Sequence, residues 1–380
     1  MEATNTPPPS NEIQPSPLST QTLPRTTSQT SSEKRWLVPD EHHGEHIAIV
    51  SYPRSGNSLM RGLLETVTGV YTGCDTRPDR SLSLELQKAG MKGEGVVDDR
   101  VWFVKSHYPE RSGYVPVPVQ KAILVVRNPW DAINSYFNMT LTNSHNKSVH
   151  DVTYSRFADR WDAMIQNEIQ VWIKFHAYWI AKVDIPIQIV RYEDLLLHRK
   201  ETMHRVVKFI LNKDPKGSLE DTEWNSRIES VLTEDDSTTG PYKPRSGKIA
   251  SSFRHYSPDQ FQHVLDVARV HLRNFGYDTN TQGFPHDIRL PNRQLRPAKP
   301  GGKSVWTLSG DKLELRDRND TFGRLSTWFR KALTEPILAS DGTNLNMHEV
   351  EAARERALAS AQSASQGPGS EDADGEEDHA

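Results

Sequence analysis

The run from Ile47 to Tyr52 is apolar and strand-like, and it passes through Pro53-Arg54-Ser55-Gly56 into a helical apolar pattern that begins near Asn57. A turn of this composition between strand and helix directs the chain toward α/β architectures. It aims successive backbone N–H groups and a helix N-terminus at one place, the arrangement that holds a phosphate-like anion. The nucleoside-triphosphate loop requires Gly, four residues, then Gly-Lys-Ser/Thr. Gly56 is followed by Asn, Ser and Leu, so that signature is absent and an ATP-magnesium phosphotransferase is disfavoured.

Similar strand ends follow. Trp102 to His107 is a short strand carrying Lys105 and His107, spaced by two and so on one side. Ala122 to Val126 delivers Arg127, Asn128 and Pro129 ahead of a helix from about Trp130, and Ile185 to Val190 leads into Arg191-Tyr192-Glu193-Asp194. Ligands of open parallel sheets bind beyond the carboxyl ends of the strands, so these segments can converge. Helices are expected at Asn57–Thr68, Asp159–Ala181, Thr202–Leu211 and Pro258–Phe275, the first stopping at Gly69 and the last at Gly276. Trp161, Trp172, Phe175 and Trp179 read as core residues of the long helix.

Tyr52-Pro53-Arg54-Ser55-Gly56-Asn57-Ser58 resembles the 5'-phosphosulfate loop of sulfotransferases that use 3'-phosphoadenosine 5'-phosphosulfate (PAPS). Val125 to Tyr136 resembles their 3'-phosphate segment, and Lys105-Ser106-His107 stands where the family carries its catalytic histidine. The resemblance spans about Ile47 to Asp278. It implies a three-layer α/β sandwich around a mainly parallel sheet, the P-loop NTPase-like sulfotransferase fold, and sulfuryl transfer without a metal. The Gly-Asn-Ser form of the loop is closer to the carbohydrate, WSC-domain-associated branch than to phenol-specific forms.

Sulfuryl transfer needs an in-line acceptor oxygen, positive charge at the leaving phosphate and a base for the acceptor proton. His107 suits the base, the alternative being a histidine that only hydrogen-bonds to a loop. Arg54 would clamp the 5'-phosphosulfate, helped by the N–H groups of Ser55, Gly56, Asn57 and Ser58 and by the Ser58 hydroxyl. Many soluble members have lysine at the position of Arg54. Because arginine does not readily give up a proton, any donation to the leaving group would fall to Lys105. Arg127 and Ser135, eight residues apart, would reach a 3'-phosphate from adjacent elements, and Tyr192 would stack on or border the adenine. Glu193 and Asp194 read as capping or orienting groups.

Lys243-Pro244-Arg245-Ser246-Gly247-Lys248 fits the last cofactor loop, with Arg245 and Lys248 toward the 3'-phosphate and Ser246 and Gly247 lining the backbone approach. The family's second glycine and following tryptophan are missing, with Ile249 to Phe253 in their place. Phe253 either replaces the missing aromatic or belongs to the core. That departure, together with Arg54, keeps open a catalytically inactive nucleotide or glycan binder with the same fold.

Acceptor choice should arise from Thr76–Asp99, Met139–Phe157 and Asn225–Pro244, where Lys88, Lys92, His145, Lys147, His150 and Arg156, with Arg100 nearby, offer positive charge to an acidic acceptor. A sugar or glycoconjugate hydroxyl is favoured over a phenol, alcohol or lipid. Residues 1–34 are rich in Ser, Thr and Pro and are expected to be disordered. The catalytic domain is expected over 40–290, a linker and small extension over 291–350, and an acidic disordered tail over 351–380. The extension could close the acceptor side, join two chains as a homodimer, or simply stabilise the domain.

No stretch resembles a signal peptide or a membrane span, and the single cysteine, Cys74, fits a reducing compartment, so a cytoplasmic protein is expected. With 46 Lys plus Arg against 50 Asp plus Glu, the charge balance gives no reason for a nucleic-acid partner. His42, His43 and His46 lack a companion set of carboxylates or cysteines at metal-ligand spacing.

Overall fold

The computed structural model describes residues 34–38, 41, 45–110, 115–212, 222–233, 248–277, 294–295 and 305–309. The strands are β1 (Ile47–Ser51), β2 (Gly73–Cys74), β3 (Phe103–Ser106), β4 (Pro118–Val119), β5 (Lys121–Val126), β6 (Ile187–Arg191), β7 (Gln294–Leu295) and β8 (Trp306–Thr307). The helices are α1 (Asn57–Thr68), α2 (Ser81–Lys88), α3 (Pro129–Thr142), α4 (Val152–Arg156), α5 (Ala158–Ala181), α6 (Tyr192–Leu197), α7 (Arg199–Ile210), α8 (Thr222–Thr233) and α9 (Pro258–Asn274).

Alternation along each strand builds the layers, because successive side chains leave opposite faces of a sheet. Ala48 and Val50 of β1, Val104 of β3 and Ala122, Leu124 and Val126 of β5 pack with α3, α5 and α9. Ile47, Ile49, Phe103, Ile123 and Val125 face the other way, toward α1, α6, α7 and α8. Both faces are dry, which is why β1 and β5 read as nearly continuous apolar runs. The architecture is therefore an α/β sandwich of three layers.

The main sheet runs β2-β3-β1-β5-β6-β7, parallel except for β7, which lies antiparallel to β6. With β3 on one side of β1 and β5 on the other, the chain switches direction around β1 and opens a crevice at its carboxyl end. Register brings the functional ends level. Ser51 is opposite Val125, Val50 is opposite Ser106, and Val126 is opposite Arg191. His107, Arg127 and Tyr192 are thus the first residues beyond their paired strands.

Local chemistry fixes the helices that leave this edge. Asn128 caps α3 by accepting from the Asp131 N–H at 2.9 Å, with Pro129 occupying the first turn. α1 ends where Gly69 turns left-handed and donates to the Glu65 carbonyl, and Ser257 and Gln260 close a capping box on α9.

The structure adds elements to the stretch read only as an acceptor segment: Thr76–Asp99 carries α2. Two residues of the stretch read as a linker, Gln294 and Leu295, extend the sheet as β7. Farther on, β8 pairs antiparallel with β4, Leu308 is fully buried, and the Tyr108 hydroxyl donates to the Ser309 carbonyl at 3.2 Å. This part of the expected extension packs on the domain. Residues 1–33 and 310–380, including the acidic tail, lie outside the described residues.

Candidate active site

Gly56 shapes the loop between β1 and α1. Its φ is 99°, and a Cβ there would stand 2.4 Å from Cδ2 of Tyr192, so glycine is required both by conformation and by the ring lying against it. Tyr52 anchors the loop from below, donating to Glu168 of α5 at 2.5 Å. Asn57 turns inward, and its Nδ2 donates to the Ile49 carbonyl at 2.9 Å and to Ser51 Oγ at 3.2 Å. That side chain ties helix to strand. Ser55 Oγ is buried and has no hydrogen-bond partner among the described residues, and Ser58 is half-buried on the first turn of α1.

His107 lies across from this loop, with Nδ1 2.7 Å from the Ser51 carbonyl oxygen. A carbonyl only accepts, so Nδ1 carries the proton and Nε2 is the basic nitrogen of the neutral ring. The neighbouring Ser106 hydroxyl donates to Asp75 at 2.6 Å and accepts from the Tyr108 N–H at 2.9 Å, which braces the backbone on both sides of His107. Burial raises the Asp75 carboxyl to about 6, despite the Ser106 hydrogen bond and the charge of Lys105. Lys105 is only 7% exposed and lies in the electrostatic reach of Asp75 and Glu94. Among the described residues its ammonium makes no hydrogen bond or ion pair.

Arg127 and Tyr192 form the third side. The Arg127 guanidinium sits 4.4 Å from the centre of the Tyr192 ring, donates to the Arg54 carbonyl at 3.0 Å and lies 3.8 Å from Asp131. Tyr192 is thereby packed between Gly56 and Arg127. Behind it, buried Glu193 accepts from the N–H and side chain of Asn128 at 3.1 and 2.8 Å and from the Tyr277 hydroxyl at 2.8 Å. Burial holds its carboxyl above the ordinary range, though those donors oppose the shift. Asp194 pairs with Arg191 at 2.6 Å.

Arg54 has φ 66°, and its side chain crosses to α3. Nε donates to Ser135 Oγ at 3.0 Å, while Nη1 and Nη2 donate to Nδ1 and the carbonyl of His145 at 2.8 and 3.0 Å. The structure thus brings Arg54 to Ser135, a residue expected on the opposite end of the nucleotide.

Arg245, Ser246 and Gly247 lie outside the described residues, whereas Lys248 is described and exposed. Just beyond it, the N–H groups of Ala250 and Ser252 donate to Asp131 at 2.9 and 3.1 Å. The segment that follows the expected loop is therefore fastened next to Arg127. Phe253 packs against Trp130 and Phe261, at centroid distances of 5.5 and 5.1 Å, on the core side.

Sequence reading passed over Glu168, Asp131, Asp75 and the part played by His145. For Glu168 a signal was present, since it falls on the apolar face of α5 between Ile165 and Trp172. Asp75 and His145 depend on tertiary contacts that spacing does not encode. Among the described residues no group of three or more His, Cys, Asp and Glu is placed to hold a metal ion. His42 and His43 lie outside them, and His46 Nε2 is 3.3 Å from the Asp98 carbonyl.

A family model described as a sulfotransferase domain matches residues 44–233, half of the chain. The chain belongs to the sulfotransferase domain family. Among curated proteins, this sulfotransferase-family chain is similar to a WSCD family member of Drosophila pseudoobscura pseudoobscura, 30% identical over 164 residues that make up 43% of this chain and 49% of the relative. A WSCD family member of Aedes aegypti is 31% identical over 167 residues, 44% of this chain and 50% of the relative. The chain spans about half the length of the curated relatives it matches. A solved structure of mouse sulfotransferase SULT7A1 complexed with PAP is 17% identical, with a TM-score of 0.38 over 61% of this chain and 85% of that one. Retinol dehydratase in complex with androsterone and inactive cofactor PAP is 14% identical, with a TM-score of 0.35 over 66% and 84%. No described helix is long and apolar enough to cross a membrane.

Proposed function

We propose that this chain transfers a sulfuryl group from PAPS to a hydroxyl, with a sugar or glycoconjugate as the acceptor class. The observation that carries the reading is the His107 to Ser51 hydrogen bond of 2.7 Å, which puts a histidine of defined tautomer beside the anion-binding loop. The donor fits the residues present. Ser55 Oγ is buried without a partner among the described residues, Lys105 is a buried cation without an ion pair among them, and the N-terminus of α1, behind Gly56, has no side-chain cap, although the Ser55 N–H donates to the Tyr52 carbonyl at 3.3 Å rather than being left to the anion.

When bound, PAPS supplies the activated sulfuryl group. His107 Nε2 takes the proton of the acceptor hydroxyl, and the Ser51 carbonyl, accepting from Nδ1, stabilises the imidazolium that results. Lys105 and the loop amides supply positive potential on the leaving-oxygen side, where a preorganised donor acts more strongly than it would in water. Arg127 and Ser135 hold the 3'-phosphate, the group that separates this nucleotide from AMP, and Tyr192 borders the adenine. Lys248 adds positive charge toward that end. A cytoplasmic setting goes with the single buried thiol, Cys74.

Incubation with donor labelled in its sulfuryl sulfur, against a panel of oligosaccharides and small phenols, tests the proposal. Transfer to a carbohydrate hydroxyl that falls by roughly 100-fold or more in His107→Ala, with nucleotide binding retained, is the expected result. Turnover unchanged by His107→Ala, or binding without transfer to any acceptor in either class, would contradict it.

A further inference from the structure

We infer that Asp75, just past the end of β2, is a positioning residue for the base: through the Ser106 hydroxyl it fixes the segment of chain that carries His107, and so sets the direction of Nε2. This rests on the reading of the site as a sulfuryl-transfer site with His107 as its base.

Three observations carry it. First, Asp75 grips the segment at two points. Its N–H donates to the Lys105 carbonyl at 3.1 Å, extending the β2–β3 pairing beyond Cys74, and its Oδ2 accepts from the Ser106 hydroxyl at 2.6 Å. The Ser106 oxygen in turn accepts from the Tyr108 N–H at 2.9 Å. Backbone groups on both sides of His107 are thereby tied to one residue of the neighbouring strand. Second, the bridge has one direction. A hydroxyl has a single proton, and because the Ser106 oxygen already receives an N–H, that proton needs an acceptor. Ser106 is fully buried, so water does not serve, and the buried Asp75 carboxylate takes the proton at the 2.6 Å length of an O–H donor on an ionised acceptor. Third, the ring is held from the opposite side of β3. Nδ1 lies 2.7 Å from the Ser51 carbonyl of β1, and β1 and β2 flank β3, so one anchor acts on the imidazole and the other on its backbone. Together they fix where Nε2 meets an acceptor proton, which a base must reach within hydrogen-bond distance.

The Asp75 carboxylate also faces the Lys105 ammonium and the Glu94 carboxylate, so its charge as well as its hydrogen bond bears on the site. Asparagine at this position keeps the acceptor and drops the charge, whereas alanine drops both.

Ring-nitrogen NMR of the full chain labelled at histidine, with the His107 signals assigned from His107→Ala, reads the tautomer without any turnover. The unmodified chain should show His107 in the Nδ1–H form, Asp75→Ala a mixture of the two tautomers, and Asp75→Asn a return to the Nδ1–H form. With the oligosaccharide or phenol that the unmodified chain sulfates fastest, kcat should fall by at least about tenfold in Asp75→Ala while KM stays within about twofold, and Asp75→Asn should recover most of the loss. A His107 ring unchanged in Asp75→Ala, or an Asp75→Asn variant as impaired as Asp75→Ala, would overturn the inference. Should Asp75→Ala not fold, as judged by thermal unfolding, Ser106→Ala removes the bridge from its other end and Ser106→Thr restores it. A tautomer mixture in the first that is reversed in the second supports the inference, and a ring unchanged in the first overturns it. An unmodified chain that sulfates no acceptor removes the underlying reading, whereas an undisturbed ring in Asp75→Ala removes this inference alone.

Discussion

Arg127 does three jobs with one guanidinium: it lies on Tyr192, supports the Arg54 carbonyl and faces the place assigned to the 3'-phosphate. Its replacement should therefore be selective rather than uniform. Arg127→Ala is expected to weaken 3'-phosphoadenosine 5'-phosphate by about 1.5–3 kcal/mol, the worth of a hydrogen bond to a charged group, and AMP by much less. Titration of both nucleotides reads the difference. Lys105, His107, Arg127 and Ser135 could be picked from the sequence because strand ends and one helical turn fix where they stand. The direction of Arg54 could not, because it follows from a left-handed backbone at φ 66° and a histidine loop clamped by Glu85.

At the scale of elements, the β1–α1 turn, α5 and α6 hold one another through a few buried contacts. Gly56→Ala would force a Cβ into the Tyr192 ring and strain a backbone at φ 99°. A loss of at least about 1–3 kcal/mol is expected, together with impaired nucleotide binding, and urea unfolding measures the first. Tyr52→Phe removes the hydroxyl that donates to Glu168, and should cost about 1–3 kcal/mol with the α1 turn loosened. α1, α5 and α9 were legible because their apolar spacing is long, with Gly69 marking the end of the first and Pro258 and Gly276 the ends of the last. β2 escaped notice because two residues carry no period, and α2 because its eight residues bury only Ser83 and Leu86.

Across the whole molecule, two buried groups set opposing responses to acid. Burial among aromatic rings lowers His176 from 6.5 to about 3, so the unfolded chain binds a proton that the native one refuses, and stability is lost as pH falls through that window. Asp75 works the other way. Raised from 3.8 to about 6, it stays protonated in the native state where the unfolded chain releases its proton, so its contribution falls as pH rises between those values. Asp75→Asn should therefore make the loss of stability from about pH 6 to 4 steeper than in the unmodified chain, as read by urea unfolding across pH; equal slopes would refute this. The α/β class and the convergence of the strand ends were readable from the order of apolar runs, whereas the three-layer plan was implied by the family resemblance. The return of β8 onto β4 was not, because a two-residue pairing far along the chain leaves no local pattern. The most direct test of the account is calorimetric binding of 3'-phosphoadenosine 5'-phosphate to the purified chain, compared with AMP and with ATP plus magnesium. Binding at least about tenfold tighter for the 3'-phosphorylated nucleotide is the result predicted, a difference of about 1.4 kcal/mol; binding no tighter than that of AMP would contradict the 3'-phosphate site.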